Sequence, residues 1–116
     1  PPPPQTVAQL SFLNCHTQHR DLHVWLFDYG AGKWEEVGKL AAAYDPYGYC
    51  PAADAKPLTV KFPRKGLYEV VVVDPAAVGC NGQNEPLQSE CRHWPREQRL
   101  IQGDPDGAIL PPIIIP

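Results

Sequence analysis

The sequence predicts an all-β domain, a β-sandwich of six or seven strands, with a small β-barrel as the alternative. Three observations lead to this prediction. Several short segments alternate apolar and polar residues with a period of two. Turn-forming residues separate these segments at intervals typical of a sandwich. No segment carries an amphipathic helical pattern of useful length. The 116 residues are enough for one domain with a buried core.

The first half of the chain predicts three strands. Ala8–Phe12 alternates apolar and polar residues, which is typical of a half-buried strand. Leu22–Phe27 is apolar on both faces, which indicates a central strand. Gly30–Gly32 forms a turn, and Trp34–Leu40 follows as the returning strand. We therefore expect Leu22–Leu40 to form a hairpin.

The second half predicts the remaining strands. Leu58–Phe62 alternates clearly, and Leu67–Asp74 contains four consecutive valines, which favour an extended backbone covered on both faces. Arg92–Ile101 is expected to hold a strand that is broken or bulged at Pro95, because proline cannot donate to a β-ladder. Ala108–Leu110 is expected to pair with that preceding strand.

The segment Gly66–Asp74 resembles the E–F corner of immunoglobulin-like and fibronectin-like sandwiches. In those folds a Gly-x-Tyr begins a later core strand, and the tyrosine hydroxyl holds the preceding corner. The resemblance covers about 20 residues, from Leu58 to Asp74, and implies this structural role for Tyr68. No cysteine lies two residues after Tyr68, so the inter-sheet disulfide of antibody domains is not expected. A fold resemblance of this kind implies no activity.

The two ends of the chain differ in composition from its middle. Residues 1–5 are proline-rich and predict a linker or a processed N-terminal segment, since the chain begins with Pro1 and has no methionine. Residues 6–110 form the predicted sandwich domain. Residues 111–116 are an apolar tail, in which Ile113, Ile114 and Ile115 either add a strand to a neighbouring subunit or form the domain's own edge strand.

The four cysteines predict two disulfides. They lie at Cys15, Cys50, Cys80 and Cys91, without the C-x-x-C spacing of zinc or thioredoxin motifs. Of the three pairings, we favour Cys80 with Cys91, which closes a polar loop, and hence Cys15 with Cys50. Paired cysteines in a short chain indicate a secreted, cell-surface or other extracytoplasmic location, and four free thiols in a cytosolic protein are the alternative.

Charge and motifs exclude several function classes. The net charge of −3 is spread along the chain and gives no footprint for nucleic acid. No apolar run is long enough for membrane insertion. Neither of the two serines, Ser11 and Ser89, lies in a nucleophile elbow, and no phosphate-binding loop is present. We therefore predict no cofactor and no catalytic residue.

Three histidines lie close together in the sequence. His16, His19 and His23 have side chains that can bind zinc or copper. On an extended chain His19 and His23 lie about 13 Å apart, too far for one metal ion unless the segment between them turns. We therefore prefer surface histidines over a metal site, and a metal-binding protein that uses these residues or His93 is an alternative function.

Tyr44, Tyr47 and Tyr49 lie in one loop, and they are the strongest binding candidates. Tyrosine-rich loops on a rigid scaffold suit recognition of protein or carbohydrate, because the rings offer contact area at little entropic cost. Burial of Tyr44 and one other ring over the core is the competing interpretation. We expect a non-enzymatic structural or interaction module. It would assemble with its own copies or within a filament, a virion or an adhesive cell surface; a carbohydrate-binding module using the tyrosine loop is the alternative.

Overall fold

The computed structural model describes residues 6–116 and confirms an all-β fold. The predicted linker at residues 1–5 lies outside the described residues. Within residues 6–116, nine strands and one short 3-10 helix follow one another. They are β1 (Val7–Asn14), β2 (Leu22–Asp28), β3 (Lys33–Leu40), β4 (Leu58–Lys61), β5 (Gly66–Val73), η1 (Glu85–Leu87), β6 (Arg92–Trp94), β7 (Leu100–Gly103), β8 (Ala108–Ile109) and β9 (Ile113–Ile115).

The nine strands form one large mixed sheet, whereas the sequence predicts six or seven strands in a sandwich. The pairing of these strands shows the single sheet and does not show a sandwich. Its main path runs β3-β2-β5-β7-β1-β4. Strand β6 pairs with β5, while β8 and β9 pair with β1. The pairings of β1 with β7, β8 and β9 are parallel, and the other pairings are antiparallel. No helix within residues 6–116 is long and apolar enough to cross a membrane.

The predicted hairpin is confirmed. Strands β2 and β3 pair from Leu22 opposite Leu40 to Asp28 opposite Lys33, with one bulge. The Asp28 carboxylate accepts the backbone N–H of Gly30 at 2.9 Å, which stabilises the turn. Strand β2 also pairs with β5 on its other side, so it is the central strand that its two apolar faces predict.

The expected break at Pro95 is confirmed, and it separates two strands rather than two parts of one. The chain leaves the ladder at Pro95, and β6 pairs with the end of β5 and β7 with its beginning. The pairing predicted for Ala108–Leu110 is wrong, since β8 pairs with β1. The intervening turn is anchored to β1, where the N–H of Asp104 donates to the carbonyl oxygen of Val7 at 3.0 Å.

The valine-rich strand β5 is covered on both faces, as its composition predicts. Val70 and Val72 belong to the main core, together with apolar side chains from β1, β2, β4, β7 and β9. Val71 and Val73 face the other way and form a second cluster with Cys91. The connection between β5 and β6 covers that second cluster, so the outer face of β5 is only partly open to solvent.

Two disulfides join the pairs favoured by loop closure. Cys15 bonds to Cys50 with a Cα–Cα distance of 5.8 Å, and Cys80 bonds to Cys91 with a Cα–Cα distance of 4.9 Å. Both distances lie in the usual range for a disulfide. The two bonds indicate an oxidising, extracytoplasmic environment.

The C-terminal isoleucines pair with the first strand of the same chain. Ile113, Ile114 and Ile115 lie opposite residues 12–14 of β1, in parallel register. Ile115 is fully buried, while Ile114 is 44% exposed. In this arrangement the tail supplies an edge strand to its own domain.

Candidate functional site

The loop that carries the tyrosines is held in one shape by Asp45. Its Oδ1 accepts the backbone N–H groups of Tyr47 and Tyr49, each at 2.9 Å. The N–H of Asp45 donates to the carbonyl oxygen of Tyr49 at 2.9 Å, and the N–H of Gly48 donates to the carbonyl oxygen of Asp45 at 3.1 Å. These four bonds hold residues 45–49 in a compact turn, which we call the Asp45 loop.

The Asp45 loop is tied to the sheet at both ends. On its C-terminal side, Cys50 is joined to Cys15 by the first disulfide. On its N-terminal side, the Tyr44 hydroxyl donates to the carbonyl oxygen of Cys15 at 3.0 Å. The Tyr44 ring also stacks on His19, with 3.7 Å between ring centroids. Tyr44 therefore anchors the loop and offers little free surface.

The other two tyrosines project into solvent. Tyr47 is 87% exposed and Tyr49 is 73% exposed. The three tyrosines that the sequence groups together thus divide into one anchor and two presented rings. A groove of about 440 Å³ adjoins the anchor and is lined by Tyr44 and the alanines on either side of the loop.

The structure does not bring His16, His19 and His23 together. His16 Nε2 lies 3.1 Å from Asp74 Oδ2, and its ring stacks on His93 with 4.8 Å between centroids. His19 stacks on a tyrosine instead. His23 Nδ1 lies 3.0 Å from Glu85 Oε2. Each histidine therefore belongs to a different set of contacts.

His16, Asp74 and His93 place three ligand-type atoms within 4.8 Å of one another. The N–H of Gln18 donates to His16 Nδ1 at 3.0 Å, so the ring proton lies on Nε2 and is donated to Asp74. A metal ion on Nε2 would move that proton to Nδ1, against the N–H of Gln18. It would also lie beside Arg20, which donates to Asp74 Oδ2 at 2.9 Å. The cluster is organised as a hydrogen-bonded network.

Asp74 is the charged centre of this network. Its burial opposes ionisation and by itself raises its pKa. The hydrogen bonds from Arg20 and from the N–H of Ala76, the charge of Arg20 and the contact with His16 together outweigh burial and hold the pKa below its ordinary value of 3.8. Asp74 is therefore an anion that ties the β1–β2 connection to the end of β5.

A second polar cluster, which no sequence motif indicated, surrounds Glu69. Glu69 is 4% exposed on the outer face of β5. Its carboxylate accepts hydrogen bonds from the Tyr29 hydroxyl at 3.4 Å, from Gln98 Nε2 at 3.3 Å and from the Arg92 guanidinium at 3.4 Å. Gln98 Nε2 also donates to the Tyr29 hydroxyl oxygen at 3.3 Å. We call these four residues the Glu69 cluster.

Aromatic rings lie beside the Glu69 cluster. In the ladder across the sheet, Phe27 of β2 lies opposite Trp34 on one side and opposite Glu69 on the other. The Phe27 ring contacts those of Trp34 and Tyr29 edge to face, at centroid distances of 5.1 and 4.7 Å. The alternation of Trp25, Phe27 and Tyr29 on one face of a strand is the sequence signal that could have indicated this surface.

No family model, curated protein or solved structure matches this chain.

Proposed function

We propose that the protein is a non-enzymatic, extracytoplasmic interaction module that binds a protein partner, copies of itself included, through the Asp45 loop. The observation that carries the proposal is the exposure of Tyr47 and Tyr49 on a loop fixed by two backbone hydrogen bonds, two hydrogen bonds to the Asp45 carboxylate and a disulfide. A filament or appendage subunit, a virion decoration domain and a cell-surface adhesion domain all require such a surface.

Rigidity makes the Asp45 loop suitable for binding. A tyrosine ring has few rotatable bonds, so ordering it in a complex loses little entropy. The backbone beneath these two rings is already ordered by Asp45, which lowers the cost of binding further. Tyrosine is also among the residues that contribute most to protein interfaces. Two rings presented together therefore provide the centre of a contact surface.

The isoleucine tail supports the proposal less directly. For Ile113–Ile115 to add to a neighbouring subunit, β9 would have to leave β1 and expose the fully buried Ile115. The loop needs no such rearrangement. The exposed side chains of Ile109 and Ile114, on strands that both pair with β1, add apolar area to a separate surface.

As part of this proposal, the sheet folds over into an immunoglobulin-like sandwich. Phe12 of β1 contacts the Trp94 ring of β6 at a centroid distance of 5.4 Å, although these strands are not paired. At the ends of the path, Leu58 of β4 lies 3.2 Å from the position of a Cβ on Gly38 of β3. Both contacts support two facing layers, and closure into a small barrel is the alternative.

The experiment compares the double variant Tyr47→Ser/Tyr49→Ser with wild type. Sedimentation velocity over a range of concentrations measures association between copies. Binding of extracellular proteins of the source organism to the immobilised protein measures association with other partners. Val78→Ser is the matched control, because Val78 is 96% exposed on a different loop. We expect the double variant to lose at least about tenfold in affinity and the control to bind like wild type.

Two outcomes would contradict the proposal. One is binding of the same strength by wild type and the double variant; the other is an absence of protein association in both measurements. Glycan binding through the same loop would appear as retention on a glycan array that the double variant abolishes. The variant Asp45→Ala keeps both rings but frees the loop, so we expect it to weaken binding as well.

A further inference from the structure

We propose that the open part of the outer sheet face, formed by the Glu69 cluster with Phe27 and Trp34, binds a neutral saccharide. This surface lies on β2, β3 and β5, while the proposed protein contact is the Asp45 loop between β3 and β4. The inference therefore does not depend on the proposed function.

The aromatic side chains supply the apolar part of the site. Tyr29 is 41% exposed, and Phe27 and Trp34 are half-buried beside it. The Phe27 ring contacts both of the other rings, so their positions are fixed by packing. A sugar ring has C–H groups on its faces, which pack against aromatic rings, and hydroxyl groups around its rim.

The buried carboxylate of Glu69 organises the polar part. A carboxylate with an exposure of 4% is costly to bury unless other groups compensate it. Here it holds the Tyr29 hydroxyl, the Gln98 amide and the Arg92 guanidinium around one point at the edge of the aromatic surface. Each of these groups is more exposed than Glu69 itself. Glu69 acts as a positioning residue for three groups that can contact a ligand.

The charges and the hydrogen-bonding groups favour a neutral, hydroxyl-rich ligand. Glu69 and Arg92 pair at 3.4 Å, so the cluster carries no unbalanced charge to attract an ion. Sugar hydroxyls both donate and accept hydrogen bonds, as do the Tyr29 hydroxyl and the Gln98 amide. The bonds within the cluster measure 3.3 to 3.4 Å, at the long end of the hydrogen-bond range, so hydroxyls of a ligand can replace them.

Only part of the outer face is open. The loop closed by Cys80 and Cys91 covers Val71 and Val73, and Glu85 of that loop accepts a hydrogen bond from Trp25 Nε1 at 3.1 Å. Beyond this cover the face carries the Glu69 cluster. The site therefore has a fixed boundary on one side and solvent on the other.

The experiment measures binding to soluble dextran and xylan by affinity electrophoresis, with pull-down on insoluble cellulose and chitin, and with heparin as an anionic comparison. Gln98→Ala and Tyr29→Phe remove polar groups at exposed positions, and Trp34→Ala removes an aromatic ring. Gln102→Ala is the matched control, because Gln102 is an exposed glutamine on the neighbouring strand β7. Equilibrium unfolding followed by far-ultraviolet circular dichroism checks that each variant is folded.

We expect at least one neutral polysaccharide to bind, with roughly tenfold weaker binding for Trp34→Ala and a measurable loss for Gln98→Ala. Gln102→Ala and Tyr47→Ser/Tyr49→Ser should bind like wild type. The inference would be overturned by no binding to any neutral polysaccharide or by binding to heparin alone. It would also be overturned if Tyr47→Ser/Tyr49→Ser abolished binding while Trp34→Ala and Gln98→Ala bound like wild type. A protein partner captured by this face in place of a saccharide would overturn it equally.

Discussion

Gly103 and the ring of Tyr68 fit together only because residue 103 has no side chain. A Cβ at this position would lie 2.6 Å from Cε2 of Tyr68 and 2.9 Å from Cβ of Phe62. Tyr68 is 1% exposed, and its hydroxyl donates to the carbonyl oxygen of Arg64 at 2.8 Å. The corner between β4 and β5 is thus fixed by the hydrogen bond of the Tyr68 hydroxyl and by the close packing of Gly103, on β7, against the Tyr68 ring.

The substitution Gly103→Ala should destabilise the fold. The added methyl group must displace the ring of Tyr68, whose hydroxyl is already bonded, so overpacking should cost about 1–3 kcal/mol of unfolding free energy. Urea denaturation measures the change. Gly66→Ala is the control, because its Cβ would meet Tyr68 only at 3.8 Å, an ordinary contact. Equal stability of both variants would show that the corner is not closely packed.

Tyr68→Phe tests the hydrogen bond at the same corner. The ring stays in place, so the expected loss is about 1 kcal/mol, typical of one intramolecular hydrogen bond. Tyr49→Phe should leave the unfolding free energy unchanged, since that ring is 73% exposed. Equilibrium unfolding of the two variants makes the comparison, and an unchanged value for Tyr68→Phe would remove the corner role that the sandwich resemblance implies.

The lowered pKa of Asp74 predicts how stability changes with pH. Because the folded-state pKa lies below the ordinary value of 3.8, the ionised form contributes stability above that value. This contribution is lost as the pH falls through the lowered pKa. Unfolding free energies measured between about pH 6 and pH 2 should therefore fall at the acidic end, and the fall should be smaller in Asp74→Asn.

Arg20→Gln provides a second test of the same pair. It removes the hydrogen bond and the charge that hold the Asp74 pKa down, so the pKa should rise. Since Arg20 is one-third exposed, the expected loss at neutral pH is modest, about 1–2 kcal/mol. Arg96→Gln, at an exposed position, is the control. An unchanged Asp74 titration by NMR in Arg20→Gln would contradict this account.

The two disulfides should contribute unequally to stability. With sequence separations of 35 and 11 residues, loop closure predicts about 4 kcal/mol for Cys15–Cys50 and about 3 kcal/mol for Cys80–Cys91. Unfolding of the two paired Cys→Ser variants measures both values. Removal of Cys80–Cys91 should also change the fluorescence of Trp25, which contacts the loop through Glu85. Ready alkylation of all four cysteines in the native, unreduced protein would contradict the pairing.

Much of the fold could be predicted because its signals are local. The alternation in β1 and β4, the two apolar faces of β2 and the valine run of β5 identify strands without knowledge of their partners. The parallel pairing of β8 and β9 with β1 was not predicted, because it joins segments about 100 residues apart and the local sequence of neither segment indicates its partner. The two short strands on either side of Pro95 were expected as one broken strand, since only the pairing shows that each runs along a different part of β5.

The candidate sites divide in the same way. The tyrosine loop is a local cluster and was found, but the role of Tyr44 as an anchor depends on Cys15 and His19, which are distant in sequence. The Glu69 cluster was missed because its four residues come from two strands and two loops that are distant in sequence. Its recognition requires the register that places Phe27 beside Glu69.

The most direct test of the account is the affinity of the Tyr47→Ser/Tyr49→Ser variant for the partner of the wild-type protein, measured beside Val78→Ser. The account predicts that loss of the two exposed rings weakens binding at least about tenfold, while loss of Val78 changes nothing. If the double variant binds as tightly as wild type while its disulfides and its unfolding free energy are intact, the Asp45 loop is not the contact surface.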